Sequence, residues 1–227
     1  VFKRDNEMIS LIIVAYKDRG WLDDTIESAK NQTFRDYEVI LCSDGNPKLG
    51  VFAQKHNIDF ILAEKKNWSH CFNLAVNHCS GDWIKWLDDD DLLTPNCLND
   101  LYQGTGTADM VYANAINFDA VKEQLYKSPV GLSLKDFLPI VTNRLHGGTV
   151  LIKKTAFNEI GGMDENLFFA EEYDFYLNML IKGKTFTHVD STVVKYRKHA
   201  DTNSERKTPE IEKQIKEYLI KKYHGRV

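Results

Sequence analysis

The sequence predicts a single α/β domain built on a mostly parallel, doubly wound sheet. β-branched and apolar runs alternate with segments of helical periodicity through the first half of the chain. Each such run ends in polar or charged residues, where open α/β sheets collect ligands. The most abrupt ending follows Trp83-Ile84-Lys85-Trp86-Leu87, which runs straight into four carboxylates, Asp88 to Asp91.

Taken in order, Met8 to Ala15 is a near-continuous apolar run, as expected of a central strand covered on both faces. Leu22, Ile26 and Ala29 recur at helical spacing and predict a helix ending near Asn31. Tyr37 to Cys42 reads as a second strand stopped by Ser43-Asp44-Gly45-Asn46-Pro47. A helix to about His56, a short strand Phe60–Leu62 and a helix around Ser69–His78 follow. After the strand bearing the acids, Thr94 as N-cap and Pro95 at the first helical position predict a helix start.

From Asp109 the pattern changes. Met110–Ala113, Ala115–Phe118 and Val121–Tyr126 read as short strands in hairpins. A short helix Leu134–Val141, a strand Thr149–Ile152 and a helix Thr155–Ile160 stopped by Gly161-Gly162 come next. Ala170-Glu171-Glu172 opens a helix with the stripe Tyr173, Tyr176, Leu177, Leu180 and Ile181. On it, Glu172 borders the stripe through Tyr176 one turn on, whereas Glu171 projects nearly opposite. Strands Phe186–Val189 and Thr192–Tyr196 precede an amphipathic helix from Pro209. Residues 1–227 are expected to form one domain, which changes of character divide into 1–108, 109–205 and the terminal helix 206–227.

The 227 residues are 43% hydrophobic and 27% charged, with a net charge of −4, the composition of a globular protein with no basic field for nucleic acid. No apolar run approaches the ~20 residues of a spanning helix, and no signal peptide is visible. Cys42, Cys71, Cys79 and Cys97 lack zinc-site spacing; Cys71, Leu74, Ala75 and His78 read instead as a helical stripe. Reduced, buried thiols and a cytoplasmic location are expected. The lysine-rich Lys207–Lys222 segment is compatible with peripheral contact at the inner membrane face, or with packing on the domain itself.

Four adjacent carboxylates repel unless solvent or a cation relieves them. In extended backbone, Asp88 and Asp90 point the same way and could share one Mg²⁺ or Mn²⁺ with substrate phosphates. A solvated acidic turn is the bland alternative.

Five segments in order carry a resemblance. Ser10–Tyr16 resembles S-I-I-I-P-T-Y, and Glu38–Asn46 resembles E-V-I-V-V-D-D-G-S. Gly81–Pro95 matches G-x-x-I-x-x-L-D-x-D-D-x-x-x-P, Gly161–Leu177 is similar to G-G-F-D-E-x-L-x-x-x-E-D-x-D-x-x-L, and Tyr196–His199 to Y-R-x-H. These are motifs of the GT-A fold glycosyltransferases of family 2. The resemblance implies a Rossmann-like, mostly parallel mixed central sheet flanked by helices, and inverting transfer of a sugar from a nucleotide-sugar, UDP-linked by expectation, to an acceptor hydroxyl.

By the same resemblance Asp90 is the principal metal-binding residue, Asp88 lies near the ribose and the metal, and Asp89 is the variable middle position on the donor side. Tyr16 and Asp44 are placed at the nucleotide base, Asn73 with Lys65 and Lys66 at the donor, and His199 at the metal or diphosphate. Glu172 occupies the general-base position, with Glu171 and Asp174 as substitutes. His146 is either an acceptor-site or a plain loop histidine. Ser43, Phe72 and Glu172 depart from the usual Asp, Arg and Asp. The acceptor is a glycan, a lipid or another hydroxyl compound, with nucleic acid disfavoured by the acidic charge. Two other readings stay open: an idle nucleotide- or sugar-binding module, and a nucleotidyltransferase on a related fold. The latter calls for a Gly-rich phosphate loop that Val14-Ala15-Tyr16-Lys17-Asp18 does not supply.

Overall fold

A computed structural model describes residues 7–138, 145–202 and 208–225. Its centre is β1 (Ile9–Ala15), all seven residues buried. β1 is hydrogen-bonded in parallel to β2 (Tyr37–Asp44) on one side and β4 (Trp83–Asp88) on the other. β3 (Asp59–Ala63) continues the parallel set beyond β2. Strand order therefore reverses at β1, and the crevice beyond its carboxyl end is a topological switch point.

The rest of the sheet is mixed. β8 (Val150–Lys153) lies antiparallel to β4 and to β6 (Met110–Phe118), and β9 (Phe186–Arg197) runs parallel to β6. β7 (Glu123–Tyr126) forms the expected hairpin with β6. The full order is β3-β2-β1-β4-β8-β6-β9-β5, where β5 is Leu92–Leu93. Helices α1 (Leu22–Lys30), α2 (Gly50–His56) and α4 (Cys97–Gln103) contribute to one core layer. Helices α3 (Trp68–His78), α5 (Lys154–Ile160), α6 (Glu171–Ile181) and α7 (Pro209–Tyr223) contribute to the other. The result is a mixed sheet flanked by helices on both faces, as the resemblance implies.

Several expectations need correction. No helix starts at Thr94: Leu92 and Leu93 pair with β9, the Thr94 hydroxyl donates to the Thr192 carbonyl at 3.0 Å, and α4 begins at Cys97 after Asn96. Sheet pairing has overridden a local capping signal. The strand pieces around Asn114 are one strand, as are those around Asp190 and Ser191. Asn114 is a buried polar residue inside β6, beside register shifts against β9, and its amide donates to Asp190 at 2.9 Å. Leu134–Phe137 is a 3-10 turn, and the remainder of the helix expected to Val141 lies outside the described residues. His78 is exposed rather than part of a buried stripe. All four cysteines are free and buried, with the Cys71 and Cys42 sulfurs 2.8 Å apart.

Candidate active site

The ends of β1, β2 and β4 open onto one cleft of about 620 Å³. Its walls bring together Tyr16, Asp44, Asp88, Asp89, Asp90, Glu171 and Glu172, residues that lie far apart in sequence. His199 stands behind Asp90, outside the cleft lining, and Asn73 is also elsewhere. The Asn73 amide donates to the Met163 carbonyl at 2.9 Å and to Glu165 at 3.0 Å, and its oxygen accepts from the Met163 N–H. Asn73 therefore ties α3 to the loop before α6 and is a structural clasp in this conformation.

Each acid has its own surroundings. Asp88 accepts the Trp68 indole N–H at 3.1 Å, and Asp89 pairs with Arg19 at 2.8 Å. Burial, reinforced by the charges of Asp90 and Asp89, pushes Asp88 up to about 7. Burial also raises Asp89 to about 7, against the pull of Arg19. Asp91, 1% exposed, accepts the Arg197 backbone N–H on one oxygen, while the other is buried without a partner.

Arg197 locks the loop from outside. Its Nε donates to the Asp90 carbonyl at 2.8 Å, and its guanidinium lies over the rings of Trp21 and Phe118 at 4.9 and 4.6 Å. His199 Nδ1 accepts the Asp201 N–H, so Nε2 carries the proton and donates to Asp90 at 2.8 Å. In this state His199 orients Asp90.

Asp44 accepts the Lys66 backbone N–H at 2.7 Å. Tyr16, 47% exposed, presents its ring to the cleft with Lys65 5.0 Å from the centroid. An aromatic face beside a carboxylate suits a base with ring N–H groups.

The opposite wall is the start of α6. Ala170 enters it in the left-handed region at φ 61°, a conformation costing a β-carbon residue about 1 kcal/mol. Glu171 and Glu172 both line the cleft. Burial, then the charges of Asp88 and Glu171, raises Glu172 well above the carboxylate range. Its carboxylate rests on Gly147 so closely that a β-carbon there would come within 1.8 Å of Oε1. Asp174 faces away and is engaged by Lys222 and Tyr223 at 2.8 Å each.

Asn117 and Tyr126, which the sequence reading did not single out, form a further wall with His146 and with Tyr196 of the Y-R-x-H segment, the His146 and Tyr196 rings 4.6 Å apart. Burial lowers His146 to about 4, so it is neutral near pH 7. Glu212, Ile215, Lys216 and Leu219 bring α7 to the rim. Lys85 is fully buried, its ammonium donating to the Trp86 and Gly148 carbonyls at 2.5 Å each. A lysine inside an otherwise apolar central strand was the available signal for it.

No three His, Cys, Asp or Glu side chains among the described residues converge into a cation cage. Asp88 and Asp90 nevertheless fit a hard cation that also takes phosphate oxygens, because such sites commonly use one or two carboxylates. The raised Asp88 and the unpartnered Asp91 oxygen mark excess negative charge that a cation would relieve.

The family model described as glycosyl transferase family 2 matches residues 10–161. An uncharacterized glycosyltransferase of Rickettsia typhi is 26% identical over 209 residues, 85% of this chain and 64% of that protein. Chondroitin synthase of Escherichia coli is 27% identical over 213 residues, 88% of this chain and 30% of that protein. An E. coli UDP-Glc:alpha-D-GlcNAc-diphosphoundecaprenol beta-1,3-glucosyltransferase, WfaP, is 27% identical over 231 residues, covering 96% and 89%. The chain thus spans under two thirds of the first two relatives. The solved structure of S. aureus TarS 1-349 in complex with UDP-GlcNAc superposes with a TM-score of 0.73 at 13% identity, covering 94% of this chain and 66% of that one. No described helix is long and apolar enough to cross a membrane.

Proposed function

The chain belongs to glycosyl transferase family 2, and from that premise we propose that it moves a sugar from a UDP-linked donor to an acceptor hydroxyl with inversion. The observation that carries this reading is the convergence, in one cleft, of Asp44 and Tyr16, the acids Asp88 to Asp90, and Glu172. They correspond to the base, diphosphate and proton-accepting ends of one displacement.

In this reading Tyr16 and Asp44 hold the uracil, and Asp88 and Asp90 would hold Mg²⁺ or Mn²⁺ beside the diphosphate. The cation, when bound, supplies Lewis-acid stabilisation of the leaving diphosphate. Glu172 takes the proton of the acceptor hydroxyl as that oxygen bonds to the anomeric carbon from the face opposite the diphosphate. The bond from the anomeric carbon to the diphosphate breaks, and its electron pair leaves with UDP. A carboxylate held well above its ordinary range is a stronger base for this step. The neutral wall of Asn117, Tyr126, His146 and Tyr196 suits a polyhydroxyl acceptor. The name of WfaP, which carries UDP-Glc, and the solved complex of TarS with UDP-GlcNAc support a uridine donor.

The test is thermal unfolding with UDP, GDP, dTDP and CMP, each with and without Mn²⁺. Ligand at about 100 times its Kd adds about 2.7 kcal/mol, a shift of several degrees. A metal-dependent shift with UDP that Asp90→Ala abolishes is expected. A folded protein unmoved by every nucleotide would rule the reading out.

A further inference from the structure

Two polar tips in the core beneath Glu172 are buried without a hydrogen-bond partner, the Trp86 Nε1–H and the Tyr176 hydroxyl. Both residues are 0% exposed, and their rings stack 6.4 Å apart at 18°. They arrive from different elements. Trp86 lies two residues before Asp88 on β4 and so on the same face of the strand. Tyr176 follows Glu172 by one turn of α6, where side chains four apart meet. The Trp86 N–H acts on the Glu172 carboxylate as a donor that opposes the effect of burial. The Tyr176 hydroxyl lies in the field of Glu172 and Asp88.

Buried donors without partners cost stability, and native proteins keep few of them without a use. In ligand-free enzymes the hydrogen bonds of a catalytic site are often long and tighten when substrate binds. A carboxylate that takes two donors from below on one oxygen keeps the other oxygen directed into the cleft. We propose that Trp86 and Tyr176 are positioning residues that hydrogen-bond Glu172 in the substrate-bound enzyme and aim its second oxygen at the acceptor hydroxyl. This rests on the assignment of Glu172 as the base.

The test measures UDP release from whichever of UDP-Glc, UDP-GlcNAc, UDP-Gal, UDP-GalNAc and UDP-GlcA the wild type turns over, together with thermal unfolding. Tyr176→Phe keeps the ring stack and deletes only the hydroxyl. It should lower kcat about ten- to hundredfold, leave the donor KM within about twofold, and leave Tm unchanged or raised. In a Glu172→Gln background the same substitution should cost nothing further, because the two act through one group. Trp86→Phe should repeat the split between kcat and KM. Retained kcat in Tyr176→Phe, or an equal loss in both backgrounds, overturns the inference. A folded wild type that releases UDP from none of the donors refutes the proposed function, and kcat retained in Glu172→Gln refutes the base assignment; in either case the inference falls with the reading on which it rests.

Discussion

Gly147 lies against the Glu172 carboxylate, and the glycine is required there by proximity alone. Its backbone is in a 3-10 turn that alanine can also adopt, so a methyl group acts only by displacing the carboxylate. Gly147→Ala should therefore cost about 10²-fold in kcat, as a misplacement of around 1 Å does, with UDP-induced stabilisation retained. Asp88 and Asp89 lead to a different experiment. Both are held up at about 7, against an ordinary value of 3.8 that the unfolded chain regains. The folded protein thus keeps protons that the unfolded chain has released, and stability falls as pH rises from about 4 to about 7. Asp88→Asn should raise Tm without divalent cations at neutral pH, flatten this decline, and abolish the metal-dependent shift with UDP. Differential scanning calorimetry across pH would check all three.

The terminal helix α7 is an element whose docking depends on one polar clasp. Lys222 bridges Asp164 at 2.6 Å and Asp174 at 2.8 Å, Tyr218 donates to Asp164, and Leu219 and Tyr223 are buried. Burial alone would raise Asp164, but Lys222, the Asn166 N–H and Tyr218 outweigh it and hold the group at about 2. A lowered carboxylate adds stability that is full above its unfolded value and is lost as pH falls from about 4 through 2. Lys222→Met should cost about 2 kcal/mol at pH 7 by leaving Asp174 short of its cation, and should remove this acid-labile share. Urea titrations at pH 7 and pH 3 would show it. At this scale the sequence was legible wherever periodicity met a clean apolar run, as in β1, α1 and α6. It misled at Asn114, whose amide looks like a strand break until Asp190 arrives from a distant strand to pair with it. Thr94-Pro95 is a sound capping signal that β9 outcompetes. Cleft residues carried by motif came into view, whereas Lys85, Gly147 and the α7 wall depend on contacts between distant segments.

Across the whole molecule, the two halves distinguished by sequence character share one sheet. β8 sits between β4 and β6, and β5 from the first half pairs with β9 from the second. Unfolding should therefore be a single cooperative transition by both near- and far-UV circular dichroism, and a fragment of residues 1–108 should not fold alone. The order of strands also explains why the place of the candidate site is legible in the sequence. A switch point at β1 is readable from alternating elements, while the curl that brings α6 and α7 over it is not. The four buried thiols have a practical consequence. Cys42, Cys71, Cys79 and Cys97 are each at most 5% exposed and spread over β2, both ends of the sequence around α3, and the start of α4. A thiol-reactive dye should leave the native protein unlabelled, and the rate at which each cysteine then reacts would time the opening of its own layer of the core.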